Sequence, residues 1–221
     1  MELERLSPHI LLEGCAGGGG RFDAGMLYYA PQIWASDNTD AIERLHIQYG
    51  TSFGYPIGAV GSHVSVCPNH QTRRFTPMKT RAIVAMSGNY GYELDVNDLS
   101  EDIKESVKRA IVEYKKYAKL IHNGRYERLS NPYEEHHYVA WQFVSEDKSE
   151  VLLNYVLTRK EAYQDVNYLN MRGLEEEALY QDEEGKIYTG AALMYGGIPM
   201  NRDISEYEAI QKYFVKVKVA E

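Results

Sequence analysis

One stretch of the sequence, residues 13–40, constrains the fold most strongly because it contains two loops of the same kind. The first loop is the run of four glycines at 17–20, and the second is the polar segment SDNTD at 36–40. An apolar segment of strand type comes before each loop, at residues 9–12 and 32–35. A buried strand followed by small and polar residues and then by a helical pattern is typical of a β/α unit, in which the loop after the strand carries the chemistry.

The composition is ordinary for a soluble globular protein and argues against some classes of partner. The chain has 221 residues, of which 44% are hydrophobic and 25% charged, and its formal net charge is −8. This negative charge disfavours nucleic acid and anionic membranes as partners. No apolar run reaches the length of a membrane span and no signal peptide is visible, so we expect a cytoplasmic protein. In that compartment Cys15 and Cys67 are expected to be free thiols rather than a disulfide.

The α/β pattern continues as far as Gly124. Beyond the first strand we predict two more strands, over residues 33–36 and 58–66. We also predict three helices, over residues 40–49, 79–86 and 100–124. Asn38 or Thr39 is expected to cap the first of these helices, and Ser100 is expected to cap the last. The first half of the chain is therefore predicted to contain three β/α units and a closing helix.

The second half of the chain changes character after Gly124. Short runs of strand type alternate there with turn clusters, at residues 138–145, 151–158, 165–171, 177–181, 186–189 and 213–219. This pattern predicts an antiparallel β-domain over residues 125–221, following an α/β part over residues 1–124. Three β/α units are too few to close a (β/α)8 barrel, which needs eight.

Several motifs in their order resemble one known family. They are the glycine-rich stretch EGCAGGGGRFD at 13–23, WASDNTD at 34–40, PNHQ at 68–71 and MSGNYGYELD at 86–95. Together they are similar to the bacterial α-galactosidases of glycoside hydrolase family 36, in which an ESCSGGGGRFD-type stretch and a W-x-SDNTD stretch follow neighbouring barrel strands. Gly14 and Ala16 depart from the family pattern, because each removes a hydroxyl group.

The resemblance implies both a fold and an activity. The fold would be the C-terminal part of a (β/α)8 TIM barrel, over residues 1–124, followed by a small antiparallel β-sandwich domain. The activity would be that of a retaining α-galactosidase, which releases terminal α-linked galactose from oligosaccharides such as melibiose and raffinose. Two alternatives stay open. One is a non-catalytic carbohydrate-binding or assembly fragment, and the other is an α-N-acetylgalactosaminidase.

The same resemblance assigns roles to individual residues. Asp37, the first acid of SDNTD, would be the general acid/base, although an aspartate at this position could also merely cap a helix. Cys15 and Gly17 would line the sugar pocket, or form a tight turn with a buried thiol. Arg21 would bind the sugar or pair with an acid such as Asp23. Trp34 is expected to be core or pocket wall rather than a stacking platform.

One half of the expected catalytic pair is missing from the sequence. A retaining glycosidase needs a second carboxylate as nucleophile, and the family carries it in a K-W-D-type motif. The two tryptophans of this chain are followed by Ala35 and Gln142, so the nucleophile is absent. We therefore expect a C-terminal fragment that is inactive alone and that associates with a missing N-terminal chain or with itself. No cofactor and no metal site are expected, and His63 and His70 are expected to be structural.

Overall fold

The structure, a computed structural model, describes residues 6–7, 9–20, 22–134, 137–162, 166–200 and 203–218. For Ala16 it describes the backbone alone. Its three regular helices are α1 (Ala41–Thr51), α2 (Met78–Ala85) and α3 (Glu101–Asn123). The strands of the first half are β1 (Glu13–Gly14), β2 (Gln32–Ile33), β3 (Gly61–Ser65) and β4 (Asn89–Glu93). The strands of the second half are β5 (Arg125–Arg128), β6 (Tyr138–Val144), β7 (Glu150–Leu157), β8 (Tyr168–Leu169), β9 (Leu179–Asp182), β10 (Ile187–Thr189), β11 (Ile198–Pro199) and β12 (Ala209–Val217).

The first four strands form an arc of parallel strands in chain order. β1 pairs with β2, an isolated bridge joins Ile33 to Val60 just before β3, and β3 pairs with β4. Helices α1 and α2 pack on one side of this arc, where Ile33, Val60 and Val64 are buried in a common core. Parallel neighbouring strands with helices on one face are the arrangement of a (β/α)8 barrel wall.

Helix α3 is long and begins and ends where the sequence predicts. Ser100 is its N-cap residue, Glu101 and Asp102 lie in its first turn, and it ends at Asn123 before Gly124. Acids in the first turn are favoured by the helix dipole. Its buried residues Ala110, Tyr117, Leu120 and Ile121 face the rest of the molecule.

The second half is organised around a six-stranded antiparallel sheet in the order β10-β9-β12-β7-β6-β5. Successive side chains of a strand point to opposite faces, and here both faces are covered. Trp141 and Phe143 pack in the core that contains helix α3, whereas Ala140 and Val144 pack in a second core. That second core is completed by the segment around the two-stranded sheet of β8 and β11. The predicted fold class, barrel part plus antiparallel β-sandwich, is confirmed.

Several local predictions need correction. The apolar residues 9–12 are not a strand, and the first strand is instead the two-residue β1; Leu11 is 88% exposed because nothing among the described residues covers it. The second strand is the two-residue β2 rather than 33–36. β4 was not expected, so the arc holds one strand more than predicted. Of residues 165–171, only Tyr168–Leu169 form a strand, and residue 165 lies outside the described residues.

No helix in the described part of the chain is both long enough and apolar enough to cross a membrane.

Candidate functional site

Asp37 follows strand β2, at the end of the strand where barrel enzymes place their chemistry. Its side chain is exposed. The loop around it is built from local side-chain contacts: the Asn38 amide donates to Ser36 Oγ at 3.2 Å, and the Asp40 amide donates to Asn38 Oδ1 at 3.1 Å. These bonds satisfy backbone donors that no strand partner serves, so the loop keeps one shape.

Asp40, rather than Asn38 or Thr39, caps helix α1. Its Oδ1 accepts the backbone N–H groups of Ile42 at 2.8 Å and Glu43 at 3.2 Å. Asp40 is buried, and it also pairs with Arg74 at 2.5 Å. A carboxylate engaged in this way has a structural role, and Asp37 is left as the exposed acid of the SDNTD segment.

The glycine-rich loop packs directly against the segment that carries Asp37. A Cβ atom on Gly18 would lie 2.7 Å from the backbone nitrogen of Asp37 and 3.2 Å from its Cγ. A Cβ atom on Gly19 would lie 2.8 Å from the carbonyl oxygen of Ala35. Both glycines have positive φ, 70° and 81°, which other residues adopt only with strain. Glycine is therefore required at these positions for the two loops to touch.

Gly17 and Cys15 occupy the part of the same loop that is open to solvent. A Cβ atom on Gly17 would meet no atom within 4 Å, so a ligand can approach its backbone closely. Cys15 is an exposed free thiol directly after β1 and is not buried in a tight turn. Cys67 is also a free thiol, as predicted. Arg21 lies outside the described residues, and its suggested partner Asp23 accepts the Met26 amide at 3.0 Å.

Trp34 lies between an aromatic ring and a cation. Its ring stacks on His63 with centroids 4.6 Å apart, and the guanidinium carbon of Arg44 lies 4.8 Å from its centroid. Gly91 makes room for His63, since a Cβ atom there would lie 2.7 Å from His63 Cδ2. The side chain of Trp34 is half-buried in these contacts, which supports the expectation that it forms part of a wall.

Arg44 is a buried cation that the sequence analysis missed. It donates from Nη1 to the Ser36 carbonyl at 3.1 Å and from Nη2 to the Gly61 carbonyl at 2.7 Å. It therefore joins the loop after β2, directly before Asp37, to the first residue of β3. Burial lowers the pKa of Arg44 to about 10, and the charge of Glu93 acts in the opposite direction. Arg44 lies on the buried face of α1 with Ile42, Leu45 and Gln48, and its place on that face was the available signal in the sequence.

The face of the arc opposite the helices is polar. Gln32 donates a side-chain hydrogen bond to Glu13 across the first strand pair. Burial lowers the pKa of the His63 imidazole, and the carboxylates of Glu13 and Glu93 oppose that change. Among the described residues, no group of three or more His, Cys, Asp or Glu side chains is placed to hold a metal ion.

Two clefts among the described residues lie away from Asp37. One has a volume of about 760 Å³ and is lined by residues such as Cys67, Phe75 and Arg81. The other has a volume of about 690 Å³ and is lined by residues such as Lys79 and Lys212. Asp37 lines neither cleft. A sugar bound at Asp37 would therefore need walls beyond those that form these clefts.

An exposed carboxylate after a parallel strand lies where (β/α)8-barrel enzymes place their catalytic residues. Comparison with known families agrees with this class. Residues 1–124 match the melibiase family, and residues 138–214 match the glycosyl hydrolase family 36 C-terminal domain. The chain belongs to the melibiase family.

Similar proteins cover nearly the whole chain. It is 52% identical over 222 residues to the bifunctional alpha-galactosidase/sucrose kinase AgaSK of Mediterraneibacter gnavus, covering 99% of this chain and 24% of that protein. It is 48% identical over 206 residues to alpha-galactosidase AgaA of Geobacillus stearothermophilus, covering 93% of this chain and 28% of that protein. The chain thus spans about a quarter of the length of these curated relatives.

Solved structures show the same fold. The galactosidase domain of AgaSK superimposes with a TM-score of 0.95 at 51% identity, over 98% of this chain and 30% of that one. A variant of AgaA in complex with raffinose superimposes with a TM-score of 0.94 at 46% identity, again over 98% of this chain and 30% of that one.

Proposed function

We propose that this chain supplies the general acid/base half of an α-galactosidase active site, with Asp37 as the acid/base. The reaction would be hydrolysis, with retention, of terminal α-linked galactose from oligosaccharides of the melibiose and raffinose type. The relative AgaSK is named as a bifunctional α-galactosidase/sucrose kinase and AgaA as an α-galactosidase, and a variant of AgaA has been crystallised with raffinose. The observation that carries the proposal is the exposed Asp37 carboxylate after β2, packed against Gly18.

The chemistry asks for a carboxyl group that protonates the leaving oxygen and later deprotonates water. Asp37 is suited to this because its side chain is free to meet a ligand, whereas Asp40 is engaged with Arg74 and the helix terminus. Gly17 would offer its backbone to the sugar, and Cys15 and Trp34 would form walls of the pocket.

The nucleophile would come from another polypeptide segment. Neither tryptophan of this chain is followed by an aspartate, and the four parallel strands are half of the eight that a barrel needs. We propose as partner a chain that carries the remaining strands and the nucleophile, with self-association as the alternative.

The domain limits 1–124 and 125–221 and the cytoplasmic location stay predictions from the sequence.

A complementation experiment tests this function. The purified chain is mixed with the part of AgaA that lies outside the matched region, and release of galactose from raffinose is measured. We expect activity only in the mixture. We expect Asp37→Asn to lower its rate by about 10²- to 10⁴-fold, which is the usual contribution of a general acid/base.

Asp102→Asn on the exposed first turn of α3 is the matched control and should leave the rate unchanged. A mixture whose rate is equally high with Asp37→Asn would refute the role of Asp37. A mixture that binds galactose but does not cleave it from raffinose would instead favour the non-catalytic alternative.

A further inference from the structure

Gln71 is joined to the segment that carries Asp37 through both polar atoms of its side-chain amide. Its Nε2 donates to the carbonyl oxygen of Asp37 at 2.9 Å, and its Oε1 accepts the backbone N–H of Thr39 at 3.0 Å. One side chain therefore bonds to the backbone on both sides of Asn38. Because these two groups have no strand partner, Gln71 takes the place that a neighbouring strand would have in a sheet.

Gln71 is itself held in a fixed position. Its backbone N–H donates to Asn69 Oδ1 at 2.9 Å. Asn69 is buried, and its Nδ2 donates to Thr39 Oγ1 at 3.0 Å and weakly to Ser65 Oγ at 3.4 Å. Ser65 is the last residue of β3 and donates from Oγ to the Thr39 carbonyl at 2.9 Å. The hydrogen bonds thus run from the end of β3 to the Asp37 carbonyl and to Thr39, on both sides of Asn38.

We propose that Gln71 is a positioning residue that sets the direction of the Asp37 carboxyl group toward the leaving oxygen. This inference rests on the proposed role of Asp37. Gln71 is exposed and does not contribute to either core. Replacing Gln71 should therefore change the stability of the protein little, but it removes the bonds that hold the backbone at Asp37 and Thr39. A general acid must lie within hydrogen-bonding distance of the oxygen that it protonates, so a displacement of about 1 Å is costly.

The first test uses the chain alone and needs no activity. Amide hydrogen exchange is measured at Thr39 in Gln71→Ala and in the matched control Gln181→Ala. Gln181 also donates from Nε2 to a backbone carbonyl, that of Gly185 at 3.2 Å, but in the distant β9–β10 hairpin. We expect exchange at Thr39 to rise about fivefold in Gln71→Ala, as for loss of one hydrogen bond, and to stay unchanged in the control.

The second test uses the complementing mixture and compares two leaving groups through kcat/KM, which reports the cleavage of the glycosidic bond. An activated aryl galactoside needs little protonation, whereas raffinose needs a well-placed acid. We expect Gln71→Ala to lower kcat/KM for raffinose by about tenfold to a hundredfold and to leave the aryl substrate nearly unchanged. Gln181→Ala should change neither.

The outcomes separate this inference from the proposed function. Unchanged Thr39 exchange in Gln71→Ala would overturn the inference, whether or not the mixture is active. Raised exchange with equal losses on both substrates would overturn it too, since that pattern indicates general damage. A wild-type mixture without activity would count against the proposed function, and the exchange experiment would still decide whether Gln71 holds the Asp37 segment.

Discussion

The parallel arc and the antiparallel sheet are held together in different ways. β1 and β2 pair over two residues, whereas β6 and β7 pair over seven. Both faces of β6 and β7 are buried, so their side chains contribute to two cores at once. In the arc, most of the described residues before β1 are exposed, and Leu11 has 88% of its surface free.

The difference shows how an exposed site can be well ordered. Around Asp37 the short ladders are supplemented by side chains that bond to backbone groups, namely Arg44 to the Ser36 carbonyl and Gln71 to the Asp37 carbonyl. Such bonds fix direction without covering the carboxylate. A sheet ladder with packed faces gives more stability, but it would bury the group that must meet a substrate.

The comparison is tested most strongly by removing one ring from the sheet. Phe143 in β6 is 1% exposed and packs in the core shared with helix α3. We expect Phe143→Ala to lower the free energy of unfolding by about 3–5 kcal/mol, because it leaves a cavity. The matched change Phe75→Ala, at a residue that is 73% exposed in the arc half, should cost less than about 1 kcal/mol. Urea unfolding measures both, and similar losses would contradict the contrast between the two regions.

A smaller effect is expected where the glycine loop meets Asp37. Gly18→Ala places a methyl group 2.7 Å from the Asp37 nitrogen at a positive φ. We expect a loss of about 1–2 kcal/mol from the backbone conformation alone. Gly50→Ala is the control with the opposite sign, because Gly50 lies in helix α1 with nothing within 4 Å of its Cβ position. It should stabilise the protein by about 0.5–1 kcal/mol.

Thermal unfolding of the two glycine variants gives the comparison directly. If Gly18→Ala were as stable as the wild type, that result would contradict the close contact between the glycine loop and the Asp37 segment.

The smallest effect concerns pH and the β6–β7 turn. Hydrogen bonds from Ser145 and Ser149 lower the pKa of Asp147 to about 2. A carboxyl group with a lowered pKa in the folded state adds stability that is present above its ordinary pKa and is lost as pH falls toward about 2. We expect the melting temperature of the wild type to fall more between pH 4 and pH 2 than that of Asp147→Asn. Parallel curves would show that the turn hydrogen bonds do not hold the carboxylate.

The elements that follow from local pattern were predictable. Helix α3 has a capping serine, acids in its first turn and an apolar stripe, and it runs from Glu101 to Asn123. β4 was missed because its sequence, NYGYE, has no apolar run; it becomes a strand through parallel pairing with β3. The first strand moved from residues 9–12 to Glu13–Gly14 because pairing with β2, rather than hydrophobicity, decides where the ladder forms.

The site was predictable only in part. The resemblance drew attention to Asp37 and to the glycine loop, and it included Gln71 without giving it a role. Contacts such as that of Gln71 with Asp37 join residues 34 positions apart, so no local pattern contains them. The capping role of Asp40 also depends on geometry, since three neighbouring polar residues were chemically able to cap α1.

The core shared by helix α3 and the sheet has a consequence for how the chain folds. Residues from both sides of Gly124, such as Val64, Leu120, Phe143 and Val156, belong to one continuous hydrophobic cluster. Opening that cluster exposes the apolar surface of the arc and of the sheet together. The change from helix to strand at Gly124 therefore divides the sequence without dividing the cooperative folding unit. Heating should produce a single calorimetric transition, in which the Asp37 segment unfolds together with the sheet.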